Sequence, residues 1–295
     1  MHKEINISTD KPIVINRIKS YAELMKLRLS SLVVLSAVLG YLLGPGKIVP
    51  FELLLLSLGG FFITGSSNAF NQVWERNLDK LMTRTKERPI PQGRISVIEG
   101  VFVGALTGIA GVGILWCLND TCAILGILAT VLYVAVYTPL KTITPLAIFV
   151  GSFPGSIPPM LGFIAASGDF GIEAGVLFFV QFFWQFPHFW TIAWKLDDDY
   201  KKAGFRLLPS GERDKQSAFQ IMLYTALLIP ISMLPWVIDL CGFKSMLFGV
   251  LASFLLLIPA YKLFKGLELK HATQLMFLSF LYLPIMLFVF FLDKL

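Results

Sequence analysis

The sequence predicts an all-α protein that crosses a membrane many times. Three observations predict it. Of 295 residues, 56% are apolar and only 15% are charged, where soluble domains carry about 25% charged residues. The mean hydropathy is +0.72. The apolar residues fall in long runs, such as LLLLSLGGFFITG from Leu53, not in the short alternating strands of a membrane β-barrel. A soluble domain of this length would lack the polar residues to cover its core, and a disordered chain would lack the apolar ones.

Taken in order, residues 1–26 read as a polar cytoplasmic tail. They contain no apolar stretch followed by a small-residue cleavage site, so a cleaved signal peptide is not expected. Residues 27–295 read as one membrane domain. About 20 apolar residues span a bilayer, and nine segments qualify: Leu27–Leu43, Phe51–Trp74, Val97–Leu118, Cys122–Tyr137, Ile143–Ala166, Ala174–Trp194, Ser217–Ile238, Ser245–Phe264 and Thr273–Leu292. Tight turns close the first and third, GPGK at 44–47 and LNDT at 118–121. The fifth carries Gly151, Pro154, Gly155, Pro158, Pro159 and Gly162. Prolines remove helical donors, so this span is expected to be kinked or broken. Broken backbone at membrane depth is tolerated only beside protein or a cavity, so it is expected to line a pocket.

The net charge of +6 is a topology signal and not a nucleic-acid footprint. Twenty-two of the 25 Lys and Arg fall on one side of the nine spans, leaving Lys47, Lys244 and Lys294 on the other. The positive-inside rule then sets the N-terminus in the cytoplasm and the C-terminus outside. Two long cytoplasmic loops, Glu75–Ser96 and Asp197–Gln216, follow spans two and six, and long loops in compact folds are usually functional. Three cysteines without a CxxC pair define neither a disulfide framework nor a zinc site.

Asn71, Glu75 and Asp79 recur every fourth residue and share one helical face. An amide oxygen and two carboxylates form a ligand set for a hard cation such as Mg²⁺, which completes its shell with water and phosphate. A solvated juxtamembrane helix is the alternative. Arg84 and Arg88 repeat the spacing and suit a phosphate. At the end of span six, Asp197, Asp198 and Asp199 repel one another unless cations neutralise them. Asp198 and Asp199 are the better candidates for binding a cation. Lys141, in Tyr137-Thr-Pro-Leu-Lys141, is either a diphosphate contact or a positive-inside anchor. His188 lies inside an apolar span, where ionisable groups are functional candidates. It can ligate iron, orient a porphyrin, carry a proton or simply pack. Around it Phe182, Phe183, Trp184, Phe186, Phe189, Trp190 and Trp194 cluster, as lipid-facing packing or as a channel lining that steadies a cation.

Five motifs in order then carry a resemblance: N-Q-x-x-E-x-x-x-D-x-x-M-x-R-T-x-x-R-P from Asn71, Y-T-P-L-K-x-x-T-P from Tyr137, G-x-x-P-G-x-x-P-P-x-x-G from Gly151, P-H-F-W from Pro187 and D-D-Y-x-x-A-G-x-x-L-L-P from Asp198. Over residues of about 20 to 290 the chain resembles the protoheme IX farnesyltransferases, a branch of the UbiA-type intramembrane prenyltransferases. Glu75 stands where bacterial members often have Asp, and Thr142 where an Arg is usual.

The resemblance implies nine helices around a central cavity in a bacterial inner membrane. It implies Mg²⁺ held by Asn71, Glu75, Asp79, Asp198 and Asp199, and farnesyl diphosphate gripped by Arg84, Arg88 and Lys141. It implies haem B as acceptor, with His188 as the candidate haem contact, and haem O as product. A haem A synthase or cytochrome oxidase assembly partner follows by the same resemblance. Two alternatives stay open: a prenyltransferase acting on a quinone precursor or another aromatic or tetrapyrrole acceptor, and a transporter, which also uses broken helices. Mg²⁺-dependent diphosphate release separates enzyme from transporter.

Overall fold

The computed structural model describes residues 13–295, with side chains from Arg17 onward. The tail before Ile13, including Lys3 and Lys11, lies outside the described residues. The chain is helical throughout. Helix α1 (Ile13–Leu24) meets α2 (Leu27–Leu43) at a bend of 48°. Then come α3 (Pro50–Asp79), α4 (Val97–Trp116) and α5 (Asp120–Val131), which continues through a π-helical stretch (Leu132–Tyr137) into the single turn α6 (Thr138–Leu140). The second half holds α7 (Ala147–Ser167), α8 (Ile172–Lys202), α9 (Lys215–Val237), α10 (Phe243–Gly266) and α11 (Leu269–Leu292). Among the described residues no strand forms beyond an isolated bridge between Cys241 and Lys294.

Seven described helices are long and apolar enough to cross a membrane, or eight counting the bent α1–α2 pair. The protein is therefore a multi-pass membrane protein, although nine spans were expected. The expected sixth span explains part of the difference. Its helix, α8, has 31 residues, but Gln181, Gln185, Pro187 and His188 dilute its apolar run. Helices α3 and α8 also run past the expected span ends, from Trp74 to Asp79 and from Trp194 to Lys202. Their last turns carry the acidic residues beyond the apolar runs without breaking the helix.

Local chemistry explains the ends. Ser96 and Glu99 form a reciprocal capping box on α4. The side chains of Asn119 and Asp214 accept the Cys122 and Ser217 amides at the starts of α5 and α9. The π-helical stretch arises just before Pro139. There both the amide and the hydroxyl of Thr138 donate to the Tyr133 carbonyl, the hydroxyl at 2.8 Å.

Of the kink or break expected in the fifth span, the break is absent: α7 is continuous through Pro154, Pro158 and Pro159. Helix α8 supplies one of the missing donors and braces the neighbouring turn. Pro159 cannot serve the Gly155 carbonyl, and Gln181 Nε2 donates to it instead. Gln185 Nε2 donates to the Ser152 carbonyl at 3.1 Å and to Ser156 Oγ at 2.6 Å. On its other side α7 meets α2 backbone to backbone. A Cβ at Gly40 would strike the Pro159 carbonyl, and one at Gly162 the Ala37 carbonyl, the small-residue packing usual between membrane helices.

Candidate active site

The start of α2, the end of α3, the π-helical stretch with α6, and the end of α8 converge at one end of the bundle. The opposite end is tied by Lys294 Nζ, which donates to the Gly44 carbonyl, and by Asp293, which accepts from the Ser245 amide at 2.8 Å.

At the converging end Asn71, Glu75 and Asp79 form one wall of a cavity of about 190 Å³. All three are buried, Asp79 completely. A buried carboxylate needs a cation close by, and both Glu75 and Asp79 have one. Lys141 pairs with Glu75. Arg88 Nη1 lies 2.8 and 2.7 Å from the two oxygens of Asp79. Lys26 Nζ donates to Asn71 Oδ1 at 3.4 Å, and Asn71 Nδ2 donates to Thr138 Oγ1 at 3.1 Å. Lys26 sits at the α1–α2 bend with φ of 49°, a left-handed conformation that L-residues rarely adopt. Lys26, Arg84, Arg88 and Lys141 thus face Glu75 and Asp79 across the same cavity. This excess of cations suits a polyanion.

Aromatic rings complete the walls. Lys141 Nζ lies 4.9 Å from the Tyr137 ring centre and 5.4 Å from that of Phe205, and the Arg84 guanidinium lies 5.9 Å from that of Tyr200. The Arg206 amide donates to the Lys141 carbonyl at 3.1 Å, tying the 203–214 loop to α6.

A second cavity of about 230 Å³ continues into the bundle, lined almost wholly by apolar groups of α2, α3, α5 and α7. Leu29, Tyr133 and Tyr137 line both cavities. A charged chamber and an apolar chamber therefore share a wall, as an amphiphile with an anionic head and a hydrocarbon tail requires.

The structure brings together six of the expected residues: Asn71, Glu75, Asp79, Arg84, Arg88 and Lys141. It sets the others apart. The Asp198 side chain is 81% exposed and pairs with Arg213 at 3.0 Å. Asp199 accepts the Thr83 and Arg84 amides at 2.7 and 3.1 Å and pairs with Lys202 at 3.2 Å. Partial burial alone would raise the Asp199 carboxyl, but these donors hold it down at about 2. Asp197 pairs with Lys201 at 2.8 Å. Among the described residues no group of three His, Cys, Asp or Glu is arranged to hold a metal ion. Neither Asp198 nor Asp199 lines the charged chamber.

His188 faces α11, where Nδ1 lies 3.0 Å from Ser279 Oγ and the ring stacks on Trp184 at 4.6 Å. It lines neither chamber. Of the surrounding aromatic residues only Phe189 lines the apolar chamber. Phe182, Phe186 and Trp190 pack with one another and with Phe149, Phe153 and Tyr224. Sequence reasoning missed Lys26, Tyr133, Tyr200 and Phe205. Lys26 resembles any lysine flanking a first span, and no spacing rule singles out the others.

The sequence pattern of the UbiA prenyltransferase family matches residues 33–282. The chain belongs to this family. Within it, the chain is 47% identical to the protoheme IX farnesyltransferase of Christiangramia forsetii over 283 residues, covering 94% of each chain. It is 46% identical to that of Cytophaga hutchinsonii, covering 95% of this chain and 99% of the relative. Solved structures share the fold. One is of a digeranylgeranylglyceryl phosphate synthase (TM-score 0.79, 19% identity, 94% of this chain and 98% of that one). Another is a UbiA homologue from Archaeoglobus fulgidus bound to GPP and Mg²⁺ (TM-score 0.66, 14% identity, 92% and 99%). The chain is thus a membrane prenyltransferase, and its charged chamber lies at the end of the fold where α3 and α8 terminate.

Proposed function

We propose that this protein transfers the farnesyl group of farnesyl diphosphate to a vinyl group of haem B, with addition of water, giving haem O and diphosphate. The observation that carries the reaction class is the wall shared by the two chambers. The diphosphate sits among Lys26, Arg84, Arg88 and Lys141, the hydrocarbon tail enters the apolar chamber, and the bond between them lies beside Tyr133 and Tyr137. The relatives named protoheme IX farnesyltransferase support the choice of prenyl donor and acceptor.

In this reaction the C1–oxygen bond of the prenyl diphosphate breaks and diphosphate leaves with the electron pair. The cationic side chains stabilise the charge that develops on it. The Tyr133 and Tyr137 rings present π faces to the allyl cation. The terminal vinyl carbon of haem then bonds to C1, and water adds to the resulting benzylic-type cation and loses a proton. The apolar chamber keeps water from the first cation.

The donor set on α3 fits a divalent cation. Asn71, Glu75 and Asp79 offer hard oxygens on one wall, and their present partners are themselves cations, which a metal can replace. Bound there, Mg²⁺ would neutralise diphosphate oxygens as a Lewis acid, and Lys141 and Arg88 would be released toward the same anion. Asp198 and Asp199 would join such a site only by leaving Arg213 and the Thr83–Arg84 amides. We assign the charged end to the cytoplasmic side of a bacterial inner membrane, where the Lys and Arg concentrate. The haem O formed would pass to a haem-modifying or oxidase-assembly protein.

Reverse-phase chromatography of haems from membranes expressing the chain tests the assignment. A haem O peak is expected. Its absence, with the protein present in the membrane, overturns the haem assignment.

A further inference from the structure

We infer that Leu115, at the closed end of the apolar chamber, limits the prenyl chain to three isoprene units. This rests on the assignment of that chamber to the prenyl tail.

The chamber has a measurable depth. Leu56 and Asn68 are the first and last residues of α3 that line it. The 1.5 Å rise per residue of an α-helix separates their levels by about 18 Å. Three extended isoprene units, each of four carbon–carbon bonds of about 1.5 Å, advance about 15 Å, and four advance about 20 Å. Three units fit, and a fourth meets the floor.

The floor is the side chain of Leu115, in the last turn of α4 and fully buried. It sits in a notch between two glycines on neighbouring helices. A Cβ added at Gly59 or at Gly126 would stand 2.8 Å from it. Because neither glycine has a side chain to move inward, truncating Leu115 leaves a lasting extension of the chamber instead of a collapsed one. Gly60 lies one helical turn above the floor residue Leu56 and also lines the chamber. A Cβ there meets only Val34, at 3.7 Å. A larger side chain at Gly60 therefore projects into free space and raises the floor.

The test is competition. Full-length protein in lipid vesicles is given haem B with equimolar geranyl, farnesyl and geranylgeranyl diphosphates, and the prenylated haems are separated by mass. The unaltered protein should favour the farnesyl product. Leu115→Ala should shift the ratio toward the geranylgeranyl product by about tenfold or more, the scale of losing or gaining pocket methylenes. Gly60→Val should shift it toward the geranyl product. The Leu115 shift supports the inference and the Gly60→Val shift shows that the chamber holds the tail; if Leu115→Ala does not fold, the milder Leu115→Val should shift the ratio in the same direction by a smaller factor. Unchanged ratios in active variants overturn it. If the unaltered protein prenylates haem with none of the donors, the functional assignment itself has failed.

Discussion

Two acidic regions, equally prominent in the sequence, play opposite structural parts. The stripe of Asn71, Glu75 and Asp79 turns inward at the end of α3 and meets cations from α6, from the loop after α3 and from the α1–α2 bend. The run of Asp197, Asp198 and Asp199 at the end of α8 turns to lysines on its own helix, to Arg213 and to the amides of a neighbouring loop. The first group borders a cavity. The second fixes the loop that carries Arg84. What distinguishes them is where the compensating donors come from. Three consecutive residues on a helix point in three directions, whereas residues four apart share a face. Only the second spacing can line a single chamber.

Substitutions can break this contrast. The largest effect is expected for Asp79→Asn, which removes a buried charge from the chamber and leaves Arg88 without its partner. Turnover should fall by about 10²–10³-fold or more, measured as haem O formed per membrane-inserted protein. Near-normal turnover would remove Asp79 from the site. A smaller effect is expected for Asp199→Ala, which frees the Thr83 and Arg84 amides. If its role is positioning, the KM for farnesyl diphosphate should rise by about tenfold with kcat less affected, and Asp199→Asn, which keeps one acceptor oxygen, should recover much of the loss. Equal collapse of kcat in both variants would return Asp199 to the metal shell. The smallest effect is expected for Asp198→Asn. Its exposed pair with Arg213 contributes less than about 1 kcal/mol, and turnover should change less than about twofold. A larger loss would show that this carboxylate moves into the chamber during the reaction.

Much of the fold was legible along the chain. The first span, expected at Leu27–Leu43, coincides with α2, because apolar runs bounded by turn residues have few other solutions in a bilayer. Other ends shifted where polarity and helix part company. Helix α3 continues to Asp79 because Glu75, Arg76 and Leu78 are good helix formers, and the end of the apolar run does not end the hydrogen-bonded rod. The continuity of α7 was not legible, because it rests on contacts with the next helix, where Gln181 donates to the Gly155 carbonyl that Pro159 cannot serve and Gln185 braces Ser152 and Ser156.

The active site divides in the same way. The spacing of Asn71, Glu75 and Asp79, and of Arg84 and Arg88, was visible because it repeats with the helix. His188 stood out because a histidine at membrane depth is rare; that its imidazole meets a serine on α11 and lines neither chamber is a tertiary fact.

The sequence by itself determined the class of solvent around the protein, the helices and the inward face of α3, since these follow from apolar runs and helical periodicity. The tertiary structure alone decided which cation meets which carboxylate, which acids stay outside, and that the charged and apolar chambers share Leu29, Tyr133 and Tyr137. The pairing of Lys141 with Glu75, the contact of Lys26 with Asn71, the hold of the Thr83 and Arg84 amides on Asp199 and the shared wall all join segments far apart in the chain. Local periodicity carries no record of them, because they arise only when packing brings separate helix faces together.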